Sequence, residues 1–351
     1  MRIVITGASG NVGTSVIEAL AGDDRVTEIV GVARRPVGWA HAKTRWVHAD
    51  VVTADLEPLF AGAAAVIHLA WLIQPSRDLG ELERVNVLGS RRVFRAAAAA
   101  GAGALVYASS VGAYSPGPKD RAVDESWPTH GVATSFYARH KAATERALDE
   151  LERANPRLRV VRLRPGLIFK REAASEIRRF FAGPLLPSPL LRRGLLPVVP
   201  DVPRLRFQAV HSLDVGDAYR RAALTETARG AYNVAADPVL DSETLAEALG
   251  ARRVPVPARV VRAAAAATWK ARLQPTPPGW VDLALGVPIM DTGRARTELG
   301  WTPKRTSQEA LLELIDGMRE SAGLDTPPLH PSAGGPLRVR ELLTGVGRVN
   351  P

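Results

Sequence analysis

Short apolar runs separated by longer amphipathic stretches characterise the first half of the chain. The runs cover residues 2–5, 28–33, 46–49, 64–70 and 105–108, and each has the composition of a β-strand. The run 64–70 is apolar throughout, as is usual for a strand buried in a parallel sheet. The stretches 14–21, 86–100 and 135–151 have helical spacing instead. This succession predicts an α/β fold with a Rossmann-type, doubly wound parallel sheet.

A glycine-rich turn joins the first predicted strand to the first predicted helix. It reads Thr6-Gly7-Ala8-Ser9-Gly10-Asn11-Val12-Gly13. Gly7 permits the tight turn, Gly10 lets the backbone approach a pyrophosphate at the helix N-terminus, and Gly13 lets the helix pack on the strand. Strand, turn and helix in this order predict a dinucleotide site.

The end of the second strand bears on the choice of dinucleotide. An NAD-preferring site usually has an acidic residue there, but this chain has Arg34-Arg35. Two guanidinium groups fit a 2′-phosphate, which favours NADP slightly over NAD. The alternative is an ordinary solvated basic turn. Asp50, after the third strand, is placed to accept a hydrogen bond from the adenine amino group.

Candidate acid–base chemistry lies on the predicted helix 135–151. Tyr137 and Lys141 are four residues apart and share one face. A nearby ammonium favours the phenolate, so the pair predicts a proton relay. Ser109 and Ser110 follow the strand 105–108 and should face the ligand crevice. His68 lies within an apolar run, where histidines are more often core residues than catalysts.

Composition narrows the class of protein. With 351 residues, 46% hydrophobic and 23% charged, the chain resembles soluble globular proteins of one large or two ordinary domains. It contains no cysteine, so disulfides and thiolate metal sites are excluded, and no metal site is expected. No signal-peptide layout follows Met1, and the alanine-rich segment 96–104 is interrupted by glycines, so we expect a cytoplasmic protein without membrane spans.

The charge of the chain invites a nucleic-acid hypothesis. The formal net charge is +10 and the isoelectric point is near 10.4. Arginine is scattered along the chain, however, and is not clustered with aromatic residues. The charge therefore suits anionic small ligands better, and we expect a small-molecule rather than a nucleic-acid partner.

Several motifs together resemble one known family. They are the glycine turn, Ser109-Ser110, Tyr137-x-x-x-Lys141, Arg164-Pro165-Gly166, the segments 210–215 and 231–234, and Glu298-Leu299-Gly300-Trp301. Their order and spacing resemble extended short-chain dehydrogenases/reductases, in particular the NAD-dependent epimerase/dehydratase branch. The resemblance covers residues 1–318.

The resemblance implies roles for individual residues. Ser110 would hydrogen bond the substrate oxygen, Tyr137 would exchange the proton on that oxygen, and Lys141 would hold the nicotinamide ribose and lower the pKa of Tyr137. The predicted cofactor-binding residues are Thr6, Gly7, Ser9, Gly10, Asn11, Val12, Gly13, Arg34, Arg35, Asp50, Val51, Leu69, Ala70, Asn86, Ser109, Tyr137, Lys141 and Pro165.

The second half departs from nucleotide-sugar epimerases. Residues 195–206 lack the glycine-rich turn that such enzymes usually carry. Between Leu167 and Val210, three acidic residues accompany eight basic ones, namely Lys170, Arg171, Arg178, Arg179, Arg192, Arg193, Arg204 and Arg206. These could clamp a substrate diphosphate, with Arg192 and Arg193 as the predicted substrate contacts beside Ser110, or form a solvated basic face. The proline- and leucine-rich segment 184–203 predicts an irregular lid.

These patterns give the expected domain organisation. A dinucleotide-binding domain covers residues 1–166 and is rejoined by the chain around 207–235, with the return to the sheet expected around 207–211. A smaller, mostly helical substrate cap covers 167–318 and interleaves with it, and residues 319–351 form a tail. A homodimer is possible.

The expected function is reversible hydride transfer at a carbinol or keto carbon of a nucleotide-sugar-like small molecule, giving epimerisation or dehydration. The alternative within the same class is an NADPH-dependent carbonyl reductase acting on a non-sugar ketone or aldehyde. A third hypothesis is a non-catalytic, NADP-sensing or RNA-binding member of the superfamily. The presence of Ser110, Tyr137 and Lys141 together argues against it.

Overall fold

A computed structural model of the chain describes residues 1–181 and 198–332. The strands of these ranges, in chain order, are β1 (Arg2–Thr6), β2 (Glu28–Ala33), β3 (Thr44–His48), β4 (Ala65–His68), β5 (Ala104–Ala108), β6 (Ala122–Val123), β7 (Arg159–Pro165), β8 (Leu167–Phe169), β9 (Val198–Asp201), β10 (Arg206–Phe207), β11 (Ala209–His211), β12 (Gly230–Val234), β13 (Leu240–Asp241), β14 (Arg252–Pro255) and β15 (Ile289–Met290).

The α-helices of the same ranges are α1 (Asn11–Ala21), α2 (Glu57–Phe60), α3 (Leu79–Glu83), α4 (Ser90–Ala99), α5 (Phe136–Ala154), α6 (Ala174–Phe181), α7 (Ser212–Leu224), α8 (Ser242–Leu249), α9 (Ala258–Lys270), α10 (Gly279–Gly286), α11 (Gly293–Glu298) and α12 (Ser307–Glu320). Within the described ranges, none of the helices has the length and apolar character needed to cross a bilayer.

Seven parallel strands form the central sheet, in the order β3-β2-β1-β4-β5-β7-β12. This order is that of a doubly wound Rossmann fold, so the predicted fold class is confirmed. Because the strands are parallel, their carboxyl ends lie at one edge of the sheet. Thr6 of β1 pairs with His68 of β4, and Ala108 of β5 with Leu163 of β7. The residues that follow these strand ends therefore share one crevice.

Two buried cores lie on opposite faces of the sheet. In β1, Ile3 and Ile5 contribute to one core while Val4 contributes to the other, as the alternation of side chains along a strand requires. Helices α1 and α7 cover the first face, which also includes the fully buried Trp301. Helices α4 and α5 cover the second face, with Phe94 and Leu148 in its core. The helix that carries the candidate catalytic residues is thus packed directly on the sheet.

Outside the central sheet, the described residues form four two-stranded sheets, which pair β10 with β13, β11 with β8, β14 with β9, and β15 with β6. The prediction that the chain rejoins the central sheet at 207–211 is wrong, since Ala209–His211 pair with β8 instead. The chain rejoins the sheet at β12, which pairs with β7, after α7, whose buried residues share a core with those of α1. Residues from both parts of the chain therefore border the same crevice.

Two other segments differ from the prediction, and a third lies mostly outside the described residues. The helix expected from residue 86 begins as a π-helix, Arg84–Gly89, before α4. The start of the expected tail is packed, since Leu329 and Thr326 are buried and Arg179 donates to the carbonyl oxygen of Pro328. Most of the expected lid at 184–203, with Arg192 and Arg193, lies outside the described residues.

Candidate active site

Helix α5 places the candidate catalytic side chains over the end of β5. It begins at Phe136, after Ser135 accepts a hydrogen bond from the backbone N–H of Ala138 at 3.4 Å. Tyr137, Lys141 and Glu145 follow at intervals of four residues and so lie on one face. Glu145 anchors this face to the sheet, as its carboxylate accepts two hydrogen bonds of 2.9 Å from Arg164 of β7.

The same carboxylate fixes the end of β5. The hydroxyl of Ser109 donates to Glu145, so Ser109 points away from the crevice and into this buried network. Ser110, the next residue, begins a short 3₁₀-helix, and its Oγ accepts from the backbone N–H of Gly112 at 3.0 Å. With its oxygen engaged as an acceptor, the Ser110 hydroxyl is left to donate its own proton. Ser109 is thus turned into the buried network, and the role of Ser110 toward the substrate stays a prediction.

The ring of Tyr137 is held between three groups. Gly112 lies against one face, where an added Cβ would be 2.8 Å from the ring. Trp280 of the cap packs on it with ring centroids 5.0 Å apart, and Trp71 contacts it edge-on at 5.9 Å. The sequence analysis missed these three residues. The one available signal was the place of Trp71 just beyond β4, at the carboxyl edge of the sheet.

The pKa values of Tyr137 and Lys141 differ from the prediction. Burial raises the pKa of Tyr137 to about 12, although the side-chain hydrogen bond with Ser110 lowers it. Burial also holds the pKa of Lys141 well below its ordinary value, with Glu145 opposing this effect. The Lys141 ammonium donates to the carbonyl oxygen of Ala108 at 2.6 Å and lies 3.5 Å from the centroid of Trp71. In this arrangement burial favours the neutral phenol of Tyr137, whose hydroxyl can donate a proton.

The glycine turn has the shape that a dinucleotide requires. Gly7 has φ +73° and its Cβ would lie 2.5 Å from the backbone nitrogen of Ala70, while a Cβ on Gly13 would lie 2.4 Å from the carbonyl oxygen of Ala8. Both glycines are therefore required by the fold itself. A Cβ on Gly10 would meet only ordinary contact, at 3.5 Å from the Gly7 oxygen. The space beside Gly10, at the N-terminus of α1, fits a pyrophosphate.

Other predicted cofactor residues surround this turn. Asn11 donates from Nδ2 to the carbonyl of Ile168, while its buried Oδ1 has no partner within the described residues. Among the remaining predicted contacts, Thr6, Ser9, Val51 and Pro165 are buried, whereas Val12, Leu69 and Ala70 are partly exposed. An orphaned buried oxygen next to an open glycine turn fits a bound dinucleotide.

The ribose end of the site carries the predicted charges. Arg34 and Arg35 are exposed directly after β2. Arg35 is close enough to Glu176 of α6 to lower its pKa, although burial dominates and raises that pKa to about 7. The Oδ1 atom of Asp50 accepts from the backbone N–H of Val52 at 2.8 Å. The two arginines and Asp50 thus border the region where adenosine would lie.

Asn86 and His68 have structural contacts in this site. The amide of Asn86 accepts from the backbone N–H of Leu72 at 2.7 Å and donates to the Leu72 carbonyl at 2.8 Å. Asn86 therefore holds the loop that carries Trp71 rather than pointing its amide at a cofactor. His68 is buried between Thr6 and Ser90, and desolvation lowers its pKa to about 3, as expected of a core histidine.

The sequence also matches the model of a known protein family. Residues 3–235 match the NAD dependent epimerase/dehydratase family. The chain belongs to this family. The predicted resemblance is thereby confirmed, and the matched residues include the glycine turn and α5 described above.

Known proteins that match most of this chain are similar to it at low sequence identity. The uncharacterized protein Rv2047c of Mycobacterium tuberculosis is 28% identical over 332 residues, which are 92% of this chain but 31% of that protein. The chain thus spans about a third of the length of that relative. A short-chain dehydrogenase/reductase superfamily protein from Agrobacterium tumefaciens with bound NAD has a TM-score of 0.68 at 23% identity, covering 91% and 98% of the two chains. The UDP-glucose 4-epimerase of Thermus thermophilus in complex with NAD has a TM-score of 0.65 at 22% identity, covering 91% and 99%. These structures share the fold.

The basic residues of the cap are mostly engaged in contacts with the protein. Lys170 donates to Thr14 at 2.7 Å, and Arg206 donates to the carbonyl oxygen of Lys119 at 2.7 Å. Arg204 donates to the carbonyl oxygen of Gly117, and Arg171 pairs with Glu320. Together with the contact of Arg179 to Pro328, these interactions engage five of the eight basic residues that the sequence offers for a diphosphate clamp. Arg192 and Arg193 lie outside the described residues.

Exchanging glycine for alanine at two positions should separate folding from dinucleotide binding. Gly13→Ala should destabilise the fold by about 1–3 kcal/mol, because its Cβ would overlap the Ala8 carbonyl. Gly10→Ala should leave stability nearly unchanged yet weaken dinucleotide binding at least about tenfold, because its Cβ occupies pyrophosphate space. Denaturant unfolding and dinucleotide titration measure the two effects. Wild-type affinity in Gly10→Ala would place the pyrophosphate elsewhere.

Proposed function

We propose that this enzyme catalyses reversible hydride transfer at a carbinol or keto carbon, with Tyr137 exchanging the proton on the oxygen. The observation that carries the proposal is the fixed phenol of Tyr137, packed between Gly112 and Trp280 with the Ser110 hydroxyl beside it. A non-catalytic NADP-sensing or RNA-binding role would require neither this packing nor the three side chains together. Bound NAD(P) supplies the hydride acceptor or donor.

Each residue of the site has a defined task in this proposal. The backbone at Gly7, Gly10 and Gly13 holds the dinucleotide at the N-terminus of α1. Lys141 exchanges its contact with the Ala108 carbonyl for the nicotinamide ribose. Ser110 donates to the substrate oxygen and keeps it within reach of Tyr137, which gives up its proton when a carbonyl is reduced and takes one when a carbinol is oxidised. The aromatic walls exclude water from the reacting oxygen.

A nucleotide-sugar-like substrate is the first candidate. Family membership supports it, and the solved structures of similar fold include UDP-glucose 4-epimerases. The faces of Trp71 and Trp280 beside Tyr137 also suit the apolar face of a sugar ring. In this case the same active site would oxidise and re-reduce one carbinol, so NAD would stay bound.

A carbonyl reductase acting on a non-sugar ketone or aldehyde is the second candidate. The observation that favours it is the engagement of Lys170, Arg204 and Arg206 by protein groups, which leaves them unsuited to clamp a diphosphate without rearrangement. The absence of a glycine-rich turn in 195–206 agrees with this candidate. A reductase would exchange NADPH at each turnover.

Replacing Tyr137 tests the shared chemistry. Tyr137→Phe should leave dinucleotide binding near wild type and lower turnover by about 10²–10⁴-fold, because only the acid–base hydroxyl is lost. With the pKa of Tyr137 raised to about 12, the wild-type rate of carbinol oxidation should rise with pH through the neutral range, since the ionised phenol accepts the proton. The residual rate of the variant should lack this rise. Steady-state rates across pH measure both, and activity within a few-fold of wild type would refute the assignment.

The arginine pair tests the choice of dinucleotide. If Arg34 or Arg35 binds a 2′-phosphate, NADP should bind more tightly than NAD by roughly 1–3 kcal/mol per charge-assisted bond. Replacing both by Ala should remove most of this preference and leave NAD affinity unchanged. Calorimetric titration of the wild-type protein and of this double variant with both dinucleotides checks this. Equal affinities in the wild-type protein would return the pair to the solvated surface.

The two substrate candidates differ in what the purified protein holds and binds. A sugar-nucleotide epimerase should release tightly bound NAD on denaturation, and UDP should raise the melting temperature of the cofactor-loaded protein, by mass action equivalent to about 2.7 kcal/mol at a hundred times its dissociation constant. A reductase should release no nucleotide and should be stabilised by NADP alone. Chromatography of the released nucleotide and thermal shifts with a panel of nucleoside diphosphates separate them.

A further inference from the structure

Three aromatic rings surround the ammonium of Lys141, which is 3% exposed. Its Nζ lies 3.5 Å from the ring centroid of Trp71, 5.2 Å from that of Tyr107 and 5.7 Å from that of Tyr137. It also donates to the carbonyl oxygen of Ala108 at 2.6 Å. A hydrogen bond to a ribose can take the place of the bond to Ala108, but the sugar also needs space beside Nζ. One of the three rings must therefore give way when a ribose reaches this ammonium.

Two of these rings are held by contacts other than the ammonium. Tyr107 is 1% exposed, and its hydroxyl shares a hydrogen bond of 2.7 Å with the hydroxyl of Thr144. Tyr137 packs between Gly112 and Trp280, as described above. Displacing either ring would disturb the sheet or the packing of the candidate catalytic phenol. We therefore expect both to stay in place.

The third ring, that of Trp71, is held more weakly. Trp71 follows β4 in a stretch that belongs to neither a helix nor a strand, and its side chain is partly exposed. Its indole Nε1 is buried, yet the part of the chain that the structure describes offers it no hydrogen-bond acceptor. A buried donor without an acceptor destabilises this placement of the ring. The contact of the ring face with the Lys141 ammonium is the interaction that favours it.

The backbone beside Trp71 is fixed, so the ring can move only by rotation of its side chain. Both the N–H and the carbonyl oxygen of Leu72 are hydrogen bonded to the side-chain amide of Asn86, at 2.7 and 2.8 Å. Rotation about the side-chain bonds of Trp71 would uncover Nζ of Lys141 and release the indole N–H from its buried position. The loop itself would stay where it is.

We propose, on the basis of the function assigned above to Lys141, that the ring of Trp71 competes with the nicotinamide ribose for this ammonium. Trp71 is then a positioning residue, which holds Lys141 in place before the dinucleotide binds and turns away when the ribose arrives. The competition lowers affinity for the ribose half of the dinucleotide, because only the conformation with the ring turned away can accept it. The adenosine and pyrophosphate, which the glycine turn would hold, are not affected.

ADP-ribose and ADP are the probes, because they differ only in the ribose that would meet Lys141. Trp71→Ala should bind ADP-ribose about two- to thirtyfold more tightly than the wild-type protein does, since the competing ring face is gone. Its affinity for ADP should be unchanged. Trp71→Phe retains a smaller ring that attracts a cation less strongly, so its affinity for ADP-ribose should lie between the two. Calorimetric titration of the full chain measures these affinities.

A matched control removes the other tryptophan of the site. Trp280 packs on Tyr137, and no contact between its ring and the Lys141 ammonium is found within the described residues. Trp280→Ala should therefore leave the ratio of ADP-ribose to ADP affinity as it is in the wild-type protein. Thermal melting of each variant shows whether the fold is retained.

Fluorine NMR of protein labelled with 5-fluorotryptophan reports on the ring itself. The chain contains seven tryptophans, and the resonance that is missing from Trp71→Phe identifies Trp71. ADP-ribose should shift this resonance, because the ring leaves the ammonium, whereas ADP should not.

The possible failures can be told apart. An unchanged ratio of ADP-ribose to ADP affinity in Trp71→Ala would overturn the proposed competition. Weaker binding of ADP-ribose with unchanged binding of ADP would also overturn it, because Trp71 would then be a wall of the ribose site. If the wild-type protein binds neither ligand, the dinucleotide site of the proposed function is refuted, and the competition at Lys141 with it.

Discussion

The buried ion pair between Glu145 and Arg164 is the interaction on which the candidate site depends. Both side chains are almost fully buried, and Arg162 adds a second cation at 3.3 Å. Burial would raise the pKa of Glu145, but the arginines hold it below its ordinary value, so the carboxylate stays ionised. Removing one partner of such a pair typically costs about 3–5 kcal/mol, because the other charge is left buried alone. The pair joins α5 to β7 and, through Ser109, to the end of β5, so it sets the distance between Ser110 and Tyr137.

The same network also shapes the charges of the site. Glu145 follows Lys141 by one helical turn and opposes the loss of its proton, while the face of Trp71 favours the ammonium from the other side. Desolvation acts against both effects. Tyr137 and Lys141 are both buried, and burial favours the neutral form of each. A ribose that replaces the Ala108 carbonyl would add hydroxyl groups around the ammonium without moving α5, because the helix is anchored by Glu145 and not by Lys141.

Local patterns predicted the fold and the catalytic helix, whereas contacts between distant segments could not be predicted. The glycine turn and the strand ends are local features, and parallel strands must bring their carboxyl ends together, so Gly10 and the pair Ser109-Ser110 could be predicted to lie at one crevice, whereas the choice of Ser110 over Ser109 came from the family resemblance. Trp280 reaches Tyr137 from 143 residues further along the chain, and no periodicity encodes that contact. A count of charges also cannot show that Lys170 donates a hydrogen bond to a threonine hydroxyl and Arg206 to a backbone carbonyl. No sequence signal indicated the π-helix at Arg84–Gly89, which contains the Asn86 that hydrogen bonds to Leu72.

The candidate site combines groups from distant parts of the chain. The groups proposed to move the proton come from β5 and α5, which the buried network around Glu145 holds together. The aromatic surfaces beside the phenol come from Trp71, on a loop held by Asn86, and from Trp280, on α10. Because Trp280 packs on Tyr137 from the second half of the chain, a change there that shifts this one ring would alter the space over the phenol without touching Ser110, Tyr137 or Lys141. We therefore expect substitutions around Trp280 to change substrate preference more than the proposed acid–base chemistry.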